Sequence, residues 1–195
     1  MQKILFNKPL GLQAAVLDGS KTMPRRVSKC QLSDDVDISV GLDDKGKVIF
    51  TIMKYGCYVS DIRPKYQIGE VVAVAQAYRD LSQSWEREHM DIASDIIKSP
   101  GYNNSMFVKA ELMPVRIVID DIGLERLQDI SDEDCMKEGV QSFQNKNGQT
   151  IFTYHGGSCF TTPRLAFASL IEKTCGRGTW DRNPYVLPYS FHRVS

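Results

Sequence analysis

Strict alternation of apolar residues constrains this chain more than any other feature. Val36, Ile38 and Val40 recur at every second position, and beyond Asp43-Asp44-Lys45-Gly46 the same period resumes at Val48, Phe50 and Ile52. Successive side chains of a strand point to opposite faces, so this period buries one face of a ribbon and leaves the other wet. The stretch reads as a β-hairpin. A second hairpin signal is Asn147-Gly148, set between Phe143 and Ile151-Phe152, because Asn-Gly accepts the positive φ of a tight turn. Further short strands are expected ending at Leu5-Phe6, over Val71 to Ala75, at Val115, Ile117 and Ile119, and from Tyr185 to Arg193.

Helical spacing appears between these runs. Pro9 suits a first helical turn, where its missing N–H costs nothing, and Leu12, Ala14-Ala15 and Val16 carry the face to Leu17, with Gly19 as the stop. Residues 78–98 read as one helix, with Trp85, His89, Ile92 and Ile96 as its stripe and Ser99-Pro100-Gly101 as its end. Ser131-Asp132-Glu133-Asp134 is a capped start that stops at Gly139. Thr162-Pro163 opens a last helix that Gly176 closes. Strands and helices do not alternate regularly enough for a doubly wound parallel sheet. The fold class expected is α+β, a small mixed or barrel-like sheet decorated by helices. At 195 residues, a single domain over 1–195 is expected.

Charge and composition narrow the function. Lys plus Arg and Asp plus Glu both number 24, which excludes a strongly basic, histone-like binder but not a local basic cleft. No apolar run approaches the roughly 18–20 residues that span a bilayer, and Ile4-Leu5-Phe6 is too short for a secretory signal. A cytoplasmic protein with no membrane partner is therefore expected. Cys30, Cys57, Cys135, Cys159 and Cys175 are odd in number and widely spaced, so reduced thiols, packed as small buried apolar side chains, are expected. His155 and Cys159 alone cannot close a tetrahedral site, and the pattern calls for no metal and no cofactor.

The chemistry concentrates in Gly19-Ser20-Lys21-Thr22-Met23-Pro24-Arg25-Arg26-Val27-Ser28-Lys29, which holds four cations and no acid. It is not a phosphate-binding loop of the Walker type. Ala15 and Ser20 stand where that motif needs glycine, and a helix rather than a strand precedes it. Lys21 fits the cation that favours a helix C-terminus, but the remaining cations lie beyond it. Arg25 and Arg26 are adjacent in an extended segment and must project oppositely. One of them then faces inward and needs an anion, either a carboxylate of the fold or a phosphate of a ligand.

Here the sequence resembles a known family. Gly19-x-Lys21-x-x-x-x-Arg26, after an N-terminal strand and helix, looks like the signature of the ASCH domain (activating signal cointegrator homology). Tyr66-Gln67-Ile68-Gly69-Glu70-Val71 is similar to its P-Y-x-x-G-D element. Glu125-Arg126-Leu127-Gln128-Asp129-Ile130, running on to Glu138-Gly139-Val140, resembles the R-L-Q-D-I stretch of phage and bacterial members. Gly178-Thr179-Trp180-Asp181-x-Asn183-Pro184-Tyr185-Val186 resembles their C-terminal G-S-W-x-x-N-P-W-V element. Residues Gln76 to Gly101 and Gln141 to Phe160 then look like insertions. The resemblance implies a PUA-like β-barrel with surrounding helices and a cleft beside Gly19–Arg26. It also implies RNA or a modified nucleoside or nucleotide as partner. One bacterial branch hydrolyses N4-acetylcytidine with a Lys, a Thr and a distant Glu. The Lys falls on Lys21 and the Glu on Glu138, but the Thr falls on Pro24, which has no hydroxyl to act as nucleophile. Thr22 lies two residues away, about 6.6 Å along an extended chain.

Three functions follow as expectations. The first is a binding module, with Gly19, Lys21, Thr22, Arg25, Arg26, Trp180, Asn183 and Tyr185 around the ligand. Its cations take phosphate, and Trp180 or Tyr185 stacks on a base or else packs in the core. The second is an amidohydrolase acting on acylated nucleosides, with Lys21 and Glu138 as its catalytic pair. The third is a phage or mobile-element protein-interaction module that uses the segment containing Trp85 and Met90.

Overall fold

A computed structural model describes residues 1–30 and 32–194 and shows an α+β protein whose main sheet curls into half a barrel. In chain order the elements are β1 (Gln2–Ile4), α1 (Leu12–Leu17), β2 (Arg25–Val27), β3 (Asp37–Leu42), β4 (Val48–Lys54), β5 (Cys57–Ile62), β6 (Val71–Val74), α2 (Gln83–Glu88), α3 (Ala93–Lys98), β7 (Arg116–Ile122), β8 (Glu125–Arg126), α4 (Asp132–Lys137), β9 (Gln141–Gln144), β10 (Thr150–Thr153), α5 (Pro163–Cys175), α6 (Thr179–Arg182) and β11 (Tyr185–Arg193). The main sheet runs β1-β6-β7-β11-β2, with β8 also paired to β11. Only the β1–β6 pairing in it is parallel.

β11 is the hub of this sheet. Val186, Leu187, Tyr189 and Phe191 are buried along it, and it pairs with β7, β8 and β2. Ile117 and Ile119 of β7, with Val72 and Val74 of β6, supply fully buried apolar side chains beside it. The expected hairpin forms as β3 and β4, and Val48, Phe50 and Ile52 bury into the same core. Val40 and Leu42 on the outer strand are 67% and 69% exposed, so β3 overhangs that core. A third strand, β5, completes this sheet. Its residues, exposed at one end and buried at the other, carry no clean alternation and give no strand signal.

Several boundaries differ from the sequence reading. β1 stops at Ile4, and Phe6 is buried in the irregular segment that follows. α1 begins at Leu12, not at Pro9, because Gly11 takes a left-handed φ of 68° that no helix continues through. The single helix expected over 78–98 is a 3₁₀ turn, α2, another 3₁₀ turn and α3. Ser82 caps α2 by accepting from the Trp85 N–H, and His89 (φ −120°, ψ 26°) breaks the helix after it. Trp85 and Ile96 are buried in a separate cluster with Tyr78, Val108 and Met113, while Met90 is 72% exposed. Over 141–160 the expected second hairpin forms as β9 and β10, with Gly148 at φ 76° in its turn. α6 is an additional element. All five thiols are free, but only Cys135 is buried; Cys57, Cys159 and Cys175 are exposed. Among the described residues, no helix is long and apolar enough to cross a membrane, and no group of three potential metal ligands converges.

Candidate functional site

The basic segment is threaded between α4 and β11. Gly19, at φ 85°, turns the chain away from α1. The N–H groups of Thr22 and Met23 both donate to the Lys137 carbonyl, at 2.9 and 3.2 Å. On the other side the carbonyls of Thr22 and Pro24 accept from the N–H groups of Phe191 and Tyr189, at 3.0 and 3.1 Å. Ser131 caps α4 through the Asp134 N–H, and Gly139 ends it at φ 101°. The carboxylate of Glu138 is thereby delivered to Lys21, 117 residues earlier in the chain.

Lys21 and Glu138 meet in the interior, 2% and 4% exposed. The Lys21 ammonium donates to the Glu138 backbone carbonyl at 2.7 Å and to its carboxylate Oε2. Glu138 Oε1 accepts from the Arg25 backbone N–H at 2.7 Å and faces the Arg25 guanidinium at 3.4 Å. That guanidinium also pairs with Glu125 at 2.7 Å and with Asp134 at 2.9 Å, and Lys137 holds the other oxygen of Asp134 at 2.9 Å. Three cations thus face three carboxylates. Burial pushes Lys21 below the ordinary lysine value, against the pull of Glu138. Burial also opposes the charge on Arg25, but its carboxylates outweigh that and raise it. Asp134 is disfavoured as an anion by burial, yet Lys137 and Arg25 hold it below the usual carboxylate range. Next to Asp134, burial chiefly pushes the Cys135 thiol up to about 12, so it is no nucleophile.

The paired arginines do project oppositely. Arg25 turns inward, and the anion it meets is a set of carboxylates of the fold. Arg26 turns out, donates to the Leu5 carbonyl at 2.6 Å and lies over the Phe6 ring at 5.7 Å.

Two kinds of space adjoin this network. Lys21, Pro24 and Glu138 line a chamber of about 150 Å³ with apolar walls that include Leu12, Phe167 and Leu170. An ammonium has three N–H groups, and two of those on Lys21 are placed on Glu138, leaving one for the chamber. Outside it, a cavity of about 710 Å³ is walled by Arg26, Lys29, Arg126, Arg182 and Tyr185 and contains no acidic lining residue. A third cavity, of about 580 Å³, holds Arg26 and Lys29 again, with Arg63, Lys65 and a single acid, Asp61. Asp61 is paired to Arg63 at 3.2 Å. Arg126 is engaged with Asp34 and lies over the Tyr185 ring at 4.0 Å. Arg26, Lys29, Lys65 and Arg182 have no carboxylate at ion-pair distance among the described residues.

The remaining expected site residues divide. Lys21, Arg25 and Glu138 come together, and Tyr185 stands with Arg26 on the larger cavity. Gly19 and Thr22 line neither the chamber nor the two cavities. Trp180 packs edge-on against Phe167 at 6.1 Å, with its backbone held by Glu172 and Gln128. Asn183 closes α6 at a left-handed φ of 45° and accepts from the Gln128 N–H at 2.8 Å. Arg63, Lys65, Arg126 and Arg182 went unseen as groove residues in the sequence. They lie in three separate stretches of the sequence, and only the tertiary fold brings them beside β2.

No family model matches the chain, and no curated protein or solved structure matches it.

Proposed function

We propose that this chain is an ASCH-type, PUA-like module that binds RNA or a modified nucleotide across the basic surface around β2. The observation that carries the reading is the set of four unpaired cations, Arg26, Lys29, Lys65 and Arg182, on cavities large enough for a ligand. In a protein of zero formal net charge, these cations line two adjoining cavities whose walls carry a single acid, Asp61, already paired to Arg63. The buried Lys21–Glu138 pair orders the segment that presents them. Its chamber is below the roughly 300–1,000 Å³ of drug-sized sites, so it suits part of a base, whose carbonyl would accept the remaining Lys21 N–H.

The test is fluorescence anisotropy with a labelled single-stranded RNA as salt is raised. Four phosphate contacts at about 0.7 released ions each give a log–log slope near −2.8. Lys29→Glu, at an exposed position, should weaken binding and flatten the slope by about 0.7. Affinity indifferent to salt, or to Lys29→Glu, refutes phosphate recognition here.

A second reading rests on the Lys21–Glu138 contact itself: the pair orients a water to hydrolyse a small amide in the chamber. Pro24 lines that chamber where the resembling hydrolases carry a threonine. Acetate release from N4-acetylcytidine, abolished in Glu138→Gln, would favour this reading. No release from wild-type protein, with RNA binding intact, leaves the binding module.

A further inference from the structure

The two larger cavities are not separate sites. Both include every residue from Arg26 to Cys30, so this run forms a saddle between them. β2 is the last strand of the main sheet, and its outer edge carries no partner strand among the described residues. On β11, Tyr185, Leu187 and Tyr189 share one face by their period of two. Tyr185 opens onto the first cavity, while Leu187 and Tyr189 back the second. Arg26 lies directly opposite Leu187 in the register, midway along that line. Four residue steps of a strand cover about 13–14 Å, which exceeds the length of one nucleoside.

The unpaired cations are distributed along the same line. Arg182 belongs to the first lobe alone, Lys65 to the second alone, and Arg26 and Lys29 to both. Each lobe thus has a cation of its own, and the central pair serves both, which joins the two lobes into one continuous cationic track. The Arg126–Tyr185 stack in the first lobe, 4.0 Å apart, offers a flat surface to an unpaired base. The second lobe offers cations but little open aromatic surface, since Tyr66 and Tyr189 are buried. From this placement we infer that the ligand is a single-stranded nucleic acid that runs through both lobes over the Arg26–Lys29 saddle, rather than a mononucleotide held in one. This rests on the groove being a nucleic-acid site, as proposed above.

The experiment is a length series of oligouridylates, from dinucleotide to dodecanucleotide, titrated by anisotropy competition at two salt concentrations. Once the oligomer reaches both lobes, affinity should rise about tenfold or more, because the second contact becomes intramolecular, and the salt slope should steepen. Lys65→Glu and Arg182→Glu, both at exposed positions, should each cost the long oligomer about tenfold and remove its advantage over the short one, with the thermal melt of Lys65→Glu unchanged. Salt-dependent binding that is flat with length overturns this inference and leaves the proposed function standing. Tighter binding to an RNA duplex of equal length also overturns it, because paired bases cannot reach the Arg126–Tyr185 surface. If no oligomer of any length binds, RNA recognition in the proposed function falls as well.

Discussion

Glu138→Ala should be more damaging than Lys21→Met, although the two residues are partners in one ion pair. Glu138 accepts from the Lys21 ammonium, the Arg25 backbone N–H and the Arg25 guanidinium. Deleting its carboxylate strands a buried ammonium and a buried amide. Breaking a buried pair in this way costs about 3–5 kcal/mol. Lys21→Met removes a charge that burial already disfavours and leaves Glu138 held by Arg25. Methionine also fits the apolar walls of Leu12, Phe167 and Leu170. The loss then reduces to one charge-assisted hydrogen bond and a stranded carbonyl, about 1–3 kcal/mol. At about 2–4 °C per kcal/mol for a chain of this size, Glu138→Ala should lower the melting temperature by roughly 6–20 °C and Lys21→Met by roughly 2–12 °C. Urea titrations of both variants at neutral pH measure the difference directly, provided the slope with denaturant stays constant. Equal losses, or a larger loss for Lys21→Met, would refute the view that Glu138 is the node and Lys21 a branch.

The acid limb of stability should depend on Asp134. Its pKa is held below the usual carboxylate range, so its contribution is complete above the unfolded value of about 3.9 and is lost as pH falls through the depressed folded value. Asp134→Asn should therefore show a flatter stability profile below about pH 4, read from denaturation midpoints. Ser131→Ala removes the cap of α4 and should cost about 1 kcal/mol, measured the same way. Gly157→Ala would set a Cβ 2.6 Å from the Tyr154 ring, and overpacking there should cost about 1–3 kcal/mol; an unchanged melting temperature would show that Tyr154 moves freely.

The parts of the fold legible in the sequence are those where one local signal decides. Alternation placed β3 and β4, Asn147-Gly148 placed the β9–β10 turn, and Ser131 and Thr162 marked the starts of α4 and α5. The helix across 78–98 failed because a good apolar stripe coexists with a capping serine inside it, and the cap prevailed. The opposed directions of Arg25 and Arg26 followed from strand geometry, but which one turned inward depended on Glu125, Asp134 and Glu138, all more than ninety residues away. The same applies to Lys65 and Arg182. Neither position carries a local signature of a groove, because its place there exists only after β2 has docked.

That docking has a kinetic consequence. Leu187 and Arg26 are cross-strand partners separated by 161 residues of chain. Until this long loop closes, the saddle has no backing and its cations hang on an unsupported edge. Closures of such high sequence separation form late and slowly. The nascent chain should therefore acquire the β3–β4–β5 sheet and the α5 helix well before it acquires any affinity for an anionic strand.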